Sequence, residues 1–290
     1  MVRIQAPATT ANLGAGFDCL GCALSLYNTY EIEEIERGYE ITGCGAAYAN
    51  ENNLVARAYR EAMRRMNLPV RGLRVNIQAN IPLARGLGSS AACIAAGVLG
   101  ASLLHGGRMD EQALLDAATA IEGHPDNVAP CLLGGLTASM MEGGEAFSVR
   151  YAPHESIRFC ALIPDFELST EKARGVLPAQ VPFQDAVYNL SRTAVFARAM
   201  ELGDTRLIAA ALSDRLHQPY RKPLFREYDA VRERALSSGA IGFCVSGAGP
   251  TLLSLYTDEG YPARVAKALA GIENHWQVMP LSVSRGARAL

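Results

Sequence analysis

An α+β fold in two parts is what the sequence predicts, and three observations carry it. The chain has 290 residues, enough for two domains or one large one with ample core. Residues 75–104 read in succession as strand, glycine-rich turn and buried helix. Residues 160–290 alternate helical with strand-like segments, which suits a ferredoxin-like unit. A boundary fits near Pro153, dividing residues 1–155 from 156–290.

The elements follow in order. Val2 to Gln5 predicts a short first strand that stops at Pro7. Residues 7–24, PATTANLGAGFDCLGCAL, are dense in turn formers and small residues, and predict a loop that lets a ligand approach the backbone. Leu26 to Glu36 alternates as a strand does, with Glu31, Glu33 and Glu34 on its solvated side. Glu51-Asn52-Asn53 opens a helix whose apolar residues, Leu54 to Met66, fall at helical spacing, and Asn52 or Asn53 is its N-cap.

Val75, Ile77 and Ile81 alternate with Asn76, Gln78 and Asn80, so a half-buried strand leads to Pro82. Gly86, Gly88, Ser89 and Ser90 come next, then a run of small and apolar side chains to Leu104 that Gly106 and Gly107 stop. That run is too short to cross a bilayer and reads as a helix buried nearly all round. Asp110 caps a helix that runs out in EGHPDNVAPCLLGG, residues 122–135, where Pro125 predicts a break with His124 on a structural turn. LTASMME, a Gly143-Gly144 hairpin turn, AFSVRYA and IRFCALIP are strands. Helices follow over 184–202, 206–213 and 225–238, and the strands IGFCV and TLLSLYT flank the turn Gly247-Ala248-Gly249-Pro250.

The glycine-rich turn is the chemically loaded stretch. Backbone N–H groups close on a ligand where no Cβ intervenes, and the first turn of a helix adds unpaired N–H donors and a positive dipole end. Such a place binds anions, phosphate above all. The loop is not a Walker A loop, since no GK[ST] follows, and GLGSSA lacks the third glycine of a dinucleotide fingerprint.

Composition narrows the class. A net charge of −2 gives no bulk attraction for nucleic acid or anionic membrane. No charged-then-apolar leader opens the sequence and no apolar run reaches membrane-spanning length, so cytoplasm is the expected compartment. Cys19 and Cys22 form a CxxC without the second pair that a zinc site needs, and in CLGCALSL they read as small buried hydrophobes.

PLARGLGSSAA, residues 82–92, closely resembles the ATP-binding loop of the GHMP kinases, the superfamily of galacto-, homoserine, mevalonate and phosphomevalonate kinases. SGAGPT, residues 246–251, resembles the third motif of that superfamily, which packs near the phosphate loop. Residues 7–24 resemble the N-terminal motif of the homoserine kinases in particular, as do EGHPDNVAP, STEKARGVLP and LHQPYRKPL. The resemblance covers nearly the whole chain. It implies a two-domain GHMP kinase fold, with an N-terminal half like ribosomal protein S5 and a ferredoxin-like C-terminal half. It also implies transfer of the ATP γ-phosphoryl group to the side-chain hydroxyl of L-homoserine, and a homodimer.

Site residues are implied by the same motifs. Pro82, Leu83, Ala84, Arg85, Gly86, Leu87, Gly88, Ser89, Ser90, Ala91 and Ala92 hold the triphosphate, and Asn53 lies by the adenine. Ser90 and Glu122 hold Mg²⁺, a hard cation that prefers oxygen ligands, with Asp116 a rival to Glu122. Arg174 and Arg221 hold the substrate carboxylate, although arginines on loops are most often solvated charges. Asp18 takes the ammonium, Asn12 orients the hydroxyl with help from Asn127, and Asp126 is a spare candidate for a general base. Two other readings stay open: a mevalonate-type kinase sharing the loop, and a non-catalytic amino-acid or nucleotide sensor.

Overall fold

The computed structural model describes residues 1–290. Its first sheet is built around β1 (Val2–Ala11) and the long β2 (Leu20–Ile35), which pair antiparallel. The sequence predicts that β1 stops at Pro7, but the strand runs on to Ala11. The register shifts between Pro7 and Ala8, so the ladder absorbs the missing N–H in a bulge.

The expected loop over 7–24 shrinks accordingly to residues 12–19, with Leu20 to Leu24 already in β2. Small residues there serve packing instead. A Cβ on Gly21 would lie 1.8 Å from the carbonyl oxygen of Asp126, so the strand passes directly against a helix backbone. Absence of side chains is a signal for close approach as much as for a turn.

β3 (Tyr39–Thr42), α1 (Leu54–Arg65) and β4 (Gly72–Gln78) extend the unit, and the strand order from β1 outward is β1-β2-β4-β3. The buried helix predicted after the loop is α2 (Ser89–Leu104), with Ala91, Ile94, Ala95, Val98 and Ala101 all enclosed. It packs on β1 between α1 and α3 (Glu111–Glu122). Asp110 caps α3 by accepting from the Ala113 N–H, as its sequence position predicts.

The predicted break is there, since α3 stops at Glu122 with Gly123 as its C-cap, but Pro125 does not lie on a turn. It opens α4 (Pro125–Leu133) as one of its first residues, where a missing N–H costs nothing. β5 (Leu136–Glu142) and β6 (Glu145–Tyr151) form the predicted hairpin, with β5 pairing to the start of β2.

β7 (Arg158–Pro164) begins a second sheet. After it come α5 (Thr170–Gly175), α6 (Phe183–Leu202), α7 (Thr205–Ala211), α8 (Gln218–Arg221) and α9 (Tyr228–Ser237). The chain then runs β8 (Gly242–Val245), β9 (Leu252–Tyr256), α10 (Tyr261–Leu269) and β10 (Trp276–Leu281). The order β10-β7-β9-β8, antiparallel throughout, is the ferredoxin-like arrangement predicted.

Both faces of this sheet are covered. Phe159 and Ala161 join the main core, while Cys160 and Leu162 join a second cluster with Val231 of α9 and Val265 of α10. That is why IRFCALIP is a continuous apolar run rather than an alternating one. Past Leu281 the chain crosses back: Val283 pairs with Leu24, Arg285 with Gly134, and β11 (Arg288–Ala289) adds to β1. No helix is long and apolar enough to cross a membrane.

Candidate active site

A cavity of about 610 Å³ opens where the two sheets meet, lined from the segment just after β1, α1, the loop before α2, the α3–α4 corner, α5, α8 and the β8–β9 turn. Asn28 closes β4 by accepting from the N–H groups of Asn80 and Ile81, and the chain then enters the glycine-rich loop. Gly88 is the N-cap of α2 at φ +66°, and a Cβ there would lie 1.8 Å from Thr9 Oγ1. Only glycine fits, and the tight passage aims the first turn of α2 at the cavity. From Gly86 to Ala91 no backbone N–H has an acceptor within the protein. Six consecutive donors beside a cavity form an anion cradle.

Ser90 donates to Glu122 Oε1 at 2.9 Å, so two side-chain oxygens stand together at the end of that cradle. Burial raises the pKa of Glu122, and the Ser90 bond and the His124 and Arg174 charges pull it back down. Asp116 lies elsewhere: its Oδ1 accepts from the Ala146 N–H and from Gln112, tying α3 to β6. Asn53 lines the cavity and also caps α1, accepting from Val55 N–H and donating to the Tyr48 carbonyl.

Because Pro125 opens a helix, Asp126 and Asn127 sit in its first turn, and His124 is its N-cap rather than part of a free turn. His124 Nδ1 bonds Asp126 Oδ1, which raises the histidine pKa. Asp126 Oδ2 is buried without a partner. Asp18 completes a cluster with these two, with one ligand atom from each within 4.8 Å of the others. Asn127 accepts from Thr9 Oγ1 at 2.8 Å. Asn12, at φ +59°, donates to the Gly247 carbonyl and accepts from the Asp18 N–H.

The residues assigned to opposite ends of an amino acid are paired with each other. Arg174 donates to both carboxylate oxygens of Asp18, at 2.7 and 3.1 Å. Arg221 is no solvated loop charge either, being 1% exposed on α8. Its Nε donates to the Ala173 carbonyl and its Nη1 to the Gly247 carbonyl and His217 Nδ1, while Nη2 has no partner. Burial, with the Arg174 charge adding to it, lowers its pKa to about 10, so it remains a cation at neutral pH.

Two regions match the family descriptions "GHMP kinases N terminal domain", over residues 53–135, and "GHMP kinases C terminal", over residues 196–273. A homoserine kinase from Clostridium botulinum (strain Kyoto / Type A2) is 42% identical over 287 residues, which cover 98% of this chain and 97% of that protein. The chain belongs to the homoserine kinases of the GHMP kinase family. A homoserine kinase from Caldicellulosiruptor saccharolyticus is 44% identical over 289 residues, covering 97% of this chain and 94% of the relative. The crystal structure of a homoserine kinase from Cytophaga hutchinsonii superposes with a TM-score of 0.89 at 28% identity, over 100% of this chain and 97% of that one.

In this homoserine kinase family member a layer of residues behind the cavity went unread in the sequence. His217 is fully buried, and because its Nδ1 accepts from Arg221, its proton sits on Nε2 and is donated to the Gly14 carbonyl at 2.8 Å. Burial lowers its pKa, as does the Arg221 cation, against the opposing pull of Asp214. Asp214 accepts from the N–H groups of Leu216, His217 and Gln218, and so caps α8. Phe17 stacks on His217 at 5.3 Å, and the guanidinium carbons of Arg221 and Arg174 lie 5.3 and 5.7 Å from the same ring centre. One signal was available: His217 precedes Arg221 by a helical turn in HQPYR, with Pro219 opening that helix.

Proposed function

We propose that this chain transfers the γ-phosphoryl group of ATP to the side-chain hydroxyl of L-homoserine, forming O-phospho-L-homoserine on the way to threonine. One observation carries the reading: six unpartnered N–H donors stand at one end of the cavity, and at the other two arginines line it, one of them bonded to the Asp18 carboxylate. The relatives named above, all homoserine kinases, support it.

ATP would lie with its phosphates along Gly86 to Ala92 and its adenine toward Asn53 and Tyr48. Ser90 and Glu122 present only oxygen, 2.9 Å apart, which fits Mg²⁺ and not a soft metal. When bound there, Mg²⁺ neutralises phosphate charge. At the other end the zwitterionic acceptor exchanges one ion pair for three. Its carboxylate takes Arg174 and the free Nη2 of Arg221, and its ammonium takes the Asp18 carboxylate that Arg174 leaves. Asn12 and Asn127 stand between the two ends to orient the hydroxyl. Transfer through a loose transition state needs alignment and charge neutralisation above all, and Asp126 Oδ2 is a spare acceptor for the proton released.

Residues 1–155 would be the ATP-binding unit and 156–290 the second unit, with the returning C-terminal segment tying them together. The seven free cysteines are in keeping with a reducing cytoplasm, and the exposed ridge Phe183, Val187 and Leu190 on α6 supports a homodimer. The test is a coupled assay of ADP release with L-homoserine, mevalonate and galactose as rival acceptors. Turnover with L-homoserine alone is expected. Comparable turnover with mevalonate would overturn the assignment.

A further inference from the structure

The cradle of N–H donors is half of a wider asymmetry. While those N–H groups have no protein partner, every carbonyl from Ala84 to Leu87 has one. The Ala84 oxygen accepts from the Leu168 N–H at 3.2 Å, and the Leu87 oxygen from the Thr9 N–H at 3.1 Å. The Arg85 oxygen accepts from the Thr251 hydroxyl, and the Gly86 oxygen from the Ser246 hydroxyl. A peptide plane has its N–H and C=O on opposite sides, so drawing the carbonyls outward turns the donors inward.

Two of the four clasps are side chains, and both come from the β8–β9 turn of the other sheet. Ser246 and Thr251 flank Gly247-Ala248-Gly249-Pro250, and the Ser246 N–H donates to the Thr251 carbonyl, which fixes the spacing of the two hydroxyls. Each is fully buried. The Ser246 hydroxyl has one proton and two acceptors in reach, the Gly86 carbonyl and Thr10 Oγ1, the latter 2.8 Å away. Ser246 thus stands between β1 and the loop, with an acceptor on each. Neither Ser246 nor Thr251 lines the cavity, so neither touches a ligand in it.

We propose that Ser246 and Thr251 are positioning residues for phosphate binding: their hydroxyls hold the carbonyls of Gly86 and Arg85 outward and so aim the loop's N–H groups at the phosphates of a bound nucleotide. The turn joining β8 and β9 therefore sets phosphate affinity without contacting phosphate. Purely apolar packing of that turn would hold the two units together equally well and leave the loop free to rotate its peptides.

The proposal rests on the loop being the phosphate site of a nucleotide, and calorimetry with two ligands separates the two claims. Mg-ADP and adenosine share the base and sugar, and only the first has phosphates. In the unaltered protein Mg-ADP is expected to bind more tightly than adenosine. Thr251→Val, nearly isosteric, and Ser246→Ala should each weaken Mg-ADP by about tenfold, the loss typical of a buried carbonyl left unpaired, with adenosine changed by less than about twofold. Thr251→Ser, which keeps the hydroxyl, should restore Mg-ADP affinity. Variants that keep the original ratio of the two affinities would overturn the positioning role and leave the proposed function standing. Variants that lose both ligands equally would also overturn it, since that is the mark of a structural defect. Equal binding of the two ligands by the unaltered protein would instead remove the phosphate site itself.

Discussion

The two ends of the cavity recognise charge by opposite means. At the end proposed for phosphate the donors are backbone N–H groups, Gly86 to Ala91, on a loop whose carbonyls are clasped by Leu168, Thr251, Ser246 and Thr9. At the acceptor end they are ionised side chains: Arg174 paired with Asp18, and Arg221 buried against His217 and two carbonyls. A backbone cradle has no side-chain entropy to lose and no pKa, so it is set once the chain folds. The ionic end is already internally compensated, so a ligand must replace existing contacts with better ones. On the proposed function, the difference teaches that one end would select for shape and negative charge, the other for a particular arrangement of two opposite charges.

The largest expected effect lies where the ends join. Ser90→Ala removes a hydroxyl from the cradle and from Glu122, and turnover should fall by roughly 10²-fold or more with little change in thermal midpoint. A fully active Ser90→Ala enzyme would detach the hydroxyl from the chemistry.

Next come the arginines, which test whether the ionic end binds a carboxylate. Arg174→Ala and Arg221→Ala should each cost about 10- to 100-fold in KM or kcat/KM for L-homoserine while KM for ATP barely moves. Arg221→Lys should rescue only in part, because an ammonium cannot satisfy the Ala173 and Gly247 carbonyls and also present Nη2. Steady-state kinetics with each substrate varied in turn checks this, and equal losses toward ATP would erase the division between the two ends.

A smaller contrast concerns the metal. Glu122→Gln should raise the Mg²⁺ needed for half activity about tenfold or more, and Asp116→Asn should leave it within about twofold, since Asp116 is occupied by Ala146 and Gln112. Mg²⁺ titrations of both variants decide it, and the reverse ranking would move the metal site upstream.

The smallest effect is on stability. His217 is held neutral among Asp214, Arg221 and, further off, Asp18, with its pKa below the unfolded value of 6.5. Below pH 6.5 the unfolded chain therefore takes up a proton that the folded one resists, and stability should fall as pH drops through that range. His217→Gln removes this titration, so its urea midpoint should vary less between pH 7 and pH 5 than that of the unaltered protein. Parallel curves for the two proteins would show that His217 is not the group responsible. The backbone donors of the loop have no pKa and contribute nothing to this slope, whereas Glu122 beside them, its pKa raised by burial, opposes it.

Much of the molecule is legible in residue order alone. The helix α2, the strand before it, the hairpin at Gly143-Gly144 and the alternation that makes the second sheet all follow from local periodicity and turn chemistry, which depend on neighbours in sequence. So does the anion loop, because its donors belong to consecutive residues. Prolines are legible only in part: Pro7 sits in a strand bulge, and the break before Pro125 is real but is followed by a new helix instead of a turn, since a missing N–H costs nothing at a helix's first position. Only the tertiary structure decided which charges meet. Asp18 and Arg174 are 156 residues apart, Asn12 and Gly247 are 235 apart, and the Ser246 hydroxyl reaches a loop 160 residues away. Burial of Arg221 was equally invisible, because a guanidinium loses its water only when elements from both units close around it, and nothing in HQPYRKPL states which carbonyls will be waiting there.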